Sequence, residues 1–338
     1  MLDSFERYEL DTTWLARALE SLPGSYAGSV RTLDAPYGVV GFGEGAWPAE
    51  FAHTWIDAAV VSSGTQFVLT GGFDFGEAEA ASLIAEASGS KIRRIGVPSG
   101  AKPASEHDGL RSYALEEAEE NLNDPKTTEE DTDNAADALE EQREHEVDHL
   151  VPTSPFSAYH YLQALAYATG RGSSAEAAEV VLADLRDRCR TEVPTDENPA
   201  KRLAWQLWTR TPLLMAPRGH TPQIWAWHVH LARMAKSMSV PIERSPLMVV
   251  SGGFEARHES GDSLVALFLG GEDESLRLAR EVLETRVDEV IPVEAPAAES
   301  YASGLGLWYL GAWVAFYLAM LYGIDPKDAV ALERLRQT

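Results

Sequence analysis

One alternation recurs in both halves of this chain: a short apolar run, a glycine-bearing turn, then a stretch of helix formers. Residues 37–42 (YGVVGF) form such a run, and the turn GFGEG at 41–45 leads into a helical stretch through Phe51 and Trp55. Residues 66–70 (QFVLT) form a second run, closed by Gly71 and Gly72. A helix is expected over 77–87, with Leu83, Ile84 and Ala87 on one side, and a third strand over 91–97. After helices at 157–169, 175–190 and 199–210, the alternation returns. Strands are expected at 212–216, 263–269 and 289–293, and helices at 221–238 and 275–286. Strands that alternate with helices need crossover connections, so they pair in parallel and are covered by helices. The expectation is an α/β fold with two parallel-sheet halves.

Between the halves the composition breaks. Residues 116–148 hold fifteen acids and two bases, with almost no large apolar side chain. Such a segment cannot bury enough surface to join a core. The organisation read from this is an N-terminal half at 1–112, an acidic linker or insertion at 113–148, and connecting helices plus a C-terminal half at 149–338, with a short strand at 148–151. A terminal helix is expected at 328–336.

The whole chain carries a formal charge of −25, from 53 acids and 28 bases. That field repels nucleic-acid phosphates and anionic membranes, so neither is an expected partner. A lone cysteine, Cys189, excludes an internal disulfide and fits a reducing cytoplasm. The acidic opening MLDSFERYEL has no apolar h-region and does not read as a secretory signal. Residues 301–322 contain no charge and are long enough to span a bilayer. Their aromatics are scattered rather than belted, and no basic flank precedes them, so a buried core or interface helix is expected.

Candidate chemistry is sparse. The glycine turns at Gly43 and Gly45, and at Thr70, Gly71 and Gly72, each follow a strand and precede a helix, where backbone N–H groups can hold an anion. Glu44 and Asp74 place carboxylates in those same turns. His228 and His230 are two apart and diverge on a helix, and His230 is the candidate for proton transfer. His258 lies in a polar glycine-bearing stretch, 251–259, read as a loop. His145 and His149 match the HExxH zinc pattern, which needs a helix. Pro152 follows closely and no third ligand stands at the usual spacing, so a zinc hydrolase is the weaker reading.

The order of both glycine turns, the stretch VPTSP at 151–155 before a helix, and the apolar helix followed by GIDP at 323–326 resemble the bifunctional phosphoglucose/phosphomannose isomerases. The resemblance runs from Gly41 to the C-terminus. It implies two SIS-type, flavodoxin-like halves, a homodimer with the active site between subunits, a sugar phosphate or other sugar derivative as ligand, and no cofactor. It also implies a proton transfer through an enediolate. The first turn in that family resembles GxGGSG, and here reads GFGEGA. The second resembles SxSGxT, and here reads TGGFDF. The family's arginine at the start of the linking helix falls on Phe156. Its catalytic glutamate falls near His230, its histidine at or near His258, and its lysine near Ala302, where no lysine stands. An eroded catalytic site is therefore expected, with His258 and His230 as the remaining proton-transfer candidates; the alternative is a non-catalytic SIS module that binds a sugar derivative or a partner protein.

Overall fold

The computed structural model describes residues 2–3, 13–28, 31–71, 75–96, 149–152, 154–254 and 261–326. The acidic segment up to residue 148, the terminal helix expected at 328–336, Gly72, His145 and His258 lie outside them. The chain runs α1 (Thr13–Ser21), β1 (Tyr37–Gly41), a 3-10 turn (Gly43–Gly45), α2 (Ala46–Ala52), β2 (Ala58–Ala59), β3 (Thr65–Thr70), α3 (Phe75–Ala87), β4 (Lys91–Gly96) and β5 (His149–Leu150). It continues through α4 (Ser157–Ala168), α5 (Gly172–Cys189), α6 (Pro199–Leu207), β6 (Thr211–Met215), α7 (Thr221–Arg233), β7 (Val240–Pro241), α8 (Pro246–Phe254), β8 (Leu264–Leu269), α9 (Glu274–Leu283), β9 (Glu289–Val293) and α10 (Ser300–Tyr322).

Two separate parallel sheets form, ordered β2-β1-β3-β4-β5 and β7-β6-β8-β9. The central strands are apolar throughout because both faces are covered: β3 is buried along its whole length, and β8 from Val265 onward. In β5, His149 and Leu150 pair with Ile95 and Gly96, so the strand at 149 extends the first sheet.

Some elements differ from the sequence expectation. Leu83 and Ile84 of α3 are each 60% exposed, and the face on the sheet is made by Ala78, Ser82 and Ala85. Small residues let this helix lie close, which turns its larger side chains outward. Helix α2 stops at Ala52, short of Trp55. Helix α7 stops at Arg233 rather than 238: the chain turns through Lys236 at φ 51°, which brings Ser239 Oγ to 2.7 Å from His228 Nδ1. Ser251 to Phe254, read as loop, end helix α8, anchored by buried Val250 and Phe254.

Helix α10 is the axis of the largest core. Every side chain from Tyr301 to Leu321 is buried, which is why the helix shows no polar face. It packs on α5, α6 and α7. Its aromatic tips find backbone acceptors: Tyr309 Oη donates to Leu19 O (2.7 Å) and Tyr317 Oη to Cys189 O (2.6 Å). In return, Trp227 Nε1 of α7 donates to Leu307 O at 3.0 Å. The Glu299 side chain caps the helix start, and Gly323 closes its end in the left-handed region. The uncharged stretch is thus a core helix, as its sequence suggested.

Candidate functional site

The carboxyl ends of β1 and β3 lie side by side, and the turns leaving them touch. Phe42 N–H donates to Leu69 O at 2.9 Å. A Cβ at Gly45 would stand 2.6 Å from Leu69 O, and one at Gly71 would stand 2.5 Å from Glu44 N. Both positions need glycine because backbone approaches backbone there. Gly43, Gly45, Thr70 and Gly71 therefore meet in one corner. Tyr161 of α4 donates its phenol to Thr70 O, while the buried Thr70 Oγ1 has no hydrogen-bond partner among the described residues. Burial first, and the charge of Glu44 second, hold the Tyr161 phenol above its ordinary range.

Glu44 occupies this corner. Its Oε2 accepts from Ser157 Oγ at 2.9 Å, and its Oε1 lies 3.5 Å from Nη2 of Arg233. Ser157 is the first residue of α4, so the carboxylate meets the positive end of a twelve-residue helix. Phe156, on which the resemblance placed an arginine, is fully buried. The cation at this corner comes instead from α7 of the second half.

His230 and Arg233 are three apart on α7 and share a side of it. His230 is 7% exposed, with its ring 5.4 Å from that of Trp308, which stacks on Trp47 of α2. Trp47 Nε1 in turn donates to Pro222 O at 2.8 Å, fastening α2 to α7. Burial first, then the positive charge of Arg233, pull the His230 imidazole down to about 3. It is neutral at pH 7 and a weak base. Its Nε2, like both amide atoms of buried Gln223 on the same helix, has no hydrogen-bond partner among the described residues.

The second half makes a matching corner. His220, in the turn after β6, bonds through Nε2 to Ser303 Oγ at 2.9 Å, next to Ala302, where the resemblance placed a lysine. Burial holds this imidazole below its ordinary value. The sequence reading did not single out Ser157, Arg233, Gln223, His220 or Ser303. Arg233 had a signal: it stands one helical turn from His230. His149 opens a strand, so the helical geometry of an HExxH zinc site is not available to it. Among the described residues no three His, Cys, Asp or Glu side chains gather to hold a metal.

Two parallel sheets whose glycine-bearing strand ends face shared helices define a double-SIS α/β protein. The phosphoglucose isomerase N-terminal domain matches residues 15–110, and the bacterial phosphoglucose isomerase C-terminal SIS domain matches residues 196–338. A glucose-6-phosphate isomerase-like protein from Thermus thermophilus is 34% identical, with a TM-score of 0.76 over 99% of this chain and 98% of that one. The bifunctional phosphoglucose/phosphomannose isomerase of Caldicellulosiruptor bescii is 28% identical over 165 residues, 46% of this chain and 48% of that protein, so the match spans about half its length. Glucosamine-6-phosphate deaminase from Thermotoga maritima shares the fold, at 12% identity and TM-score 0.56 over 93% of this chain and 95% of that one. The chain belongs to the phosphoglucose isomerase family.

Proposed function

We propose that this protein binds a sugar phosphate, or another sugar derivative, at the corner between the first-half glycine turns and α7, and that it has lost useful isomerase turnover. One observation carries the reading. The face of α7 turned to the first glycine turn presents a cation, Arg233, paired with Glu44 at 3.5 Å, and the neighbouring His230 is buried and weakly basic. The resemblance calls for a carboxylate base on that face, and aldose–ketose isomerisation has no first step without one. The absence of a lysine near Ala302 removes a second charge that the developing enediolate needs. Losing one such group costs about 10²–10³ in rate, and several together abolish practical catalysis. The binding architecture is retained: both glycine turns keep their close backbone approach, and a hydroxyl and a guanidinium converge beside them.

The test is a coupled assay from fructose 6-phosphate to glucose 6-phosphate and mannose 6-phosphate, run beside His258→Ala. The expected outcome is background turnover in both proteins, together with a thermal shift of the wild type by fructose 6-phosphate. Turnover abolished by His258→Ala would establish instead a site rebuilt around that histidine. The same reading takes the protein to be cytoplasmic, in keeping with its lone cysteine, and a homodimer, as the resemblance implies.

A further inference from the structure

We infer that the carboxyl ends of β6 and β8 form a second ligand site, which takes the phosphate of a small phosphate ester. It is separate from the first-half corner, and its test does not need the function proposed above to hold. In each sheet one strand hands the chain toward one edge and its neighbour hands it toward the other. In the first sheet this reversal falls between β1 and β3, at the glycine corner. In the second, ordered β7-β6-β8-β9, it falls between β6 and β8. The connections leaving the two strands diverge there and open a crevice outside the strand ends. Two turns border it: Arg218–His220 after β6, and Gly270 and Gly271 after β8, at φ 86° and 100°. Gly270 lies against the His220 ring, where a Cβ would stand at 2.6 Å.

The crevice has an open mouth and a polar floor. Arg218 and Gly219 are exposed, and a Cβ at Gly219 or Gly271 would meet nothing within 4 Å. Arg218 makes no ion pair among the described residues. Behind it no side chain caps the start of the thirteen-residue α7, whose positive end faces the turn. Gln223, the third residue of α7, is fully buried, and neither of its amide atoms has a partner among the described residues. Its Nε2 lies 3.1 Å from where a Gly304 Cβ would stand, and the preceding Ser303 bonds His220 at 2.9 Å. The free amide and the imidazole therefore converge on one turn of α10. A buried amide left unpaired destabilises a fold, so this one calls for a partner. The nearby acids are engaged elsewhere: Glu272 on Arg280, Asp273 on the start of α9 and Glu299 on the start of α10. A phosphate ester suits such a site, since its three terminal oxygens can meet a guanidinium at the mouth and neutral donors on the floor together.

The probe is inorganic phosphate, titrated calorimetrically at low ionic strength into wild type, Arg218→Gln and Gln223→Met, each first melted without phosphate. Wild type should bind one phosphate here, and a second if the first-half corner also holds one. Arg218→Gln should weaken one binding step about tenfold or more, and Gln223→Met should weaken the same step. Without phosphate, Gln223→Met should melt about 2 °C or more above wild type, because an apolar side chain of similar length leaves no polar atom unpaired. An isotherm unchanged in Arg218→Gln would overturn the inference. So would a lower midpoint for Gln223→Met, which would show that its amide is already bonded inside the fold. Arg218 is exposed, so its variant reads the site even where Gln223→Met does not fold. Fructose 6-phosphate titrated into wild type reads the proposed function separately. Its failure to bind, with the Arg218-dependent phosphate step intact, would sink that function and leave this site standing.

Discussion

His230 stays neutral because its surroundings offer a proton little: an aromatic wall, a nearby guanidinium and almost no water. Its folded pKa of about 3 lies below the ordinary 6.5. Above 6.5 neither the folded nor the unfolded chain protonates this ring. Below it only the unfolded chain does, so this residue subtracts stability as pH falls, by up to about 1.4 kcal/mol per unit, until the folded pKa is reached. Replacing it with a ring that cannot titrate removes the effect. His230→Phe should lose less stability than wild type between pH 7 and pH 5, measured by urea unfolding at both. Identical losses would show that the imidazole takes up a proton in the folded protein. From sequence, His230 is legible as a histidine on a helix. Its weak basicity is not, since that comes first from burial, and the Trp308 ring beside it lies 78 positions away in the chain.

At the scale of elements, the start of α6 shows how helices are tied to the central core. Asn198 is fully buried. Its Oδ1 accepts from the N–H groups of Ala200 and Lys201, and its Nδ2 donates to the carbonyls of Cys189 and Arg190. One side chain thus caps α6 and holds the end of α5. Asn198→Ala is expected to cost about 2 kcal/mol, at the upper end for a lost cap. Tyr317→Phe removes the bond to Cys189 O, which keeps Asn198 as a donor, so about 1 kcal/mol is expected. Chemical denaturation of the two variants side by side should rank them in that order. The central strands of both sheets were legible because their apolar runs are bounded by glycine and proline. The two-residue strands β2 and β7 were not, because they carry no pattern to read. Helix α8 contains two glycines, a serine and two valines, a poor intrinsic helix former, and it exists because Val250 and Phe254 bury against the second sheet.

For the whole molecule, the decisive element is α10, which by length and composition alone could cross a membrane yet is wholly enclosed by α5, α6, α7 and the first-half aromatics. Among the described residues, the most apolar helix is satisfied within the fold. Sedimentation equilibrium in plain buffer is expected to give a homodimer, and a monomer at micromolar concentration would remove the inter-subunit site that the resemblance implies. What the sequence determined by itself was local and periodic: the parallel α/β rhythm, its repetition in two halves, the glycine turns, and the burial of an uncharged stretch of 22 residues. These follow from backbone preferences and hydrophobic pattern, which act over a few neighbours. The tertiary structure alone decided which charges meet. Glu44 and Arg233 lie 189 positions apart, and no spacing rule links them. They pair because Trp47 and Trp308 lock α2 and α7 around the same helix, so the electrostatics of the corner is a product of packing.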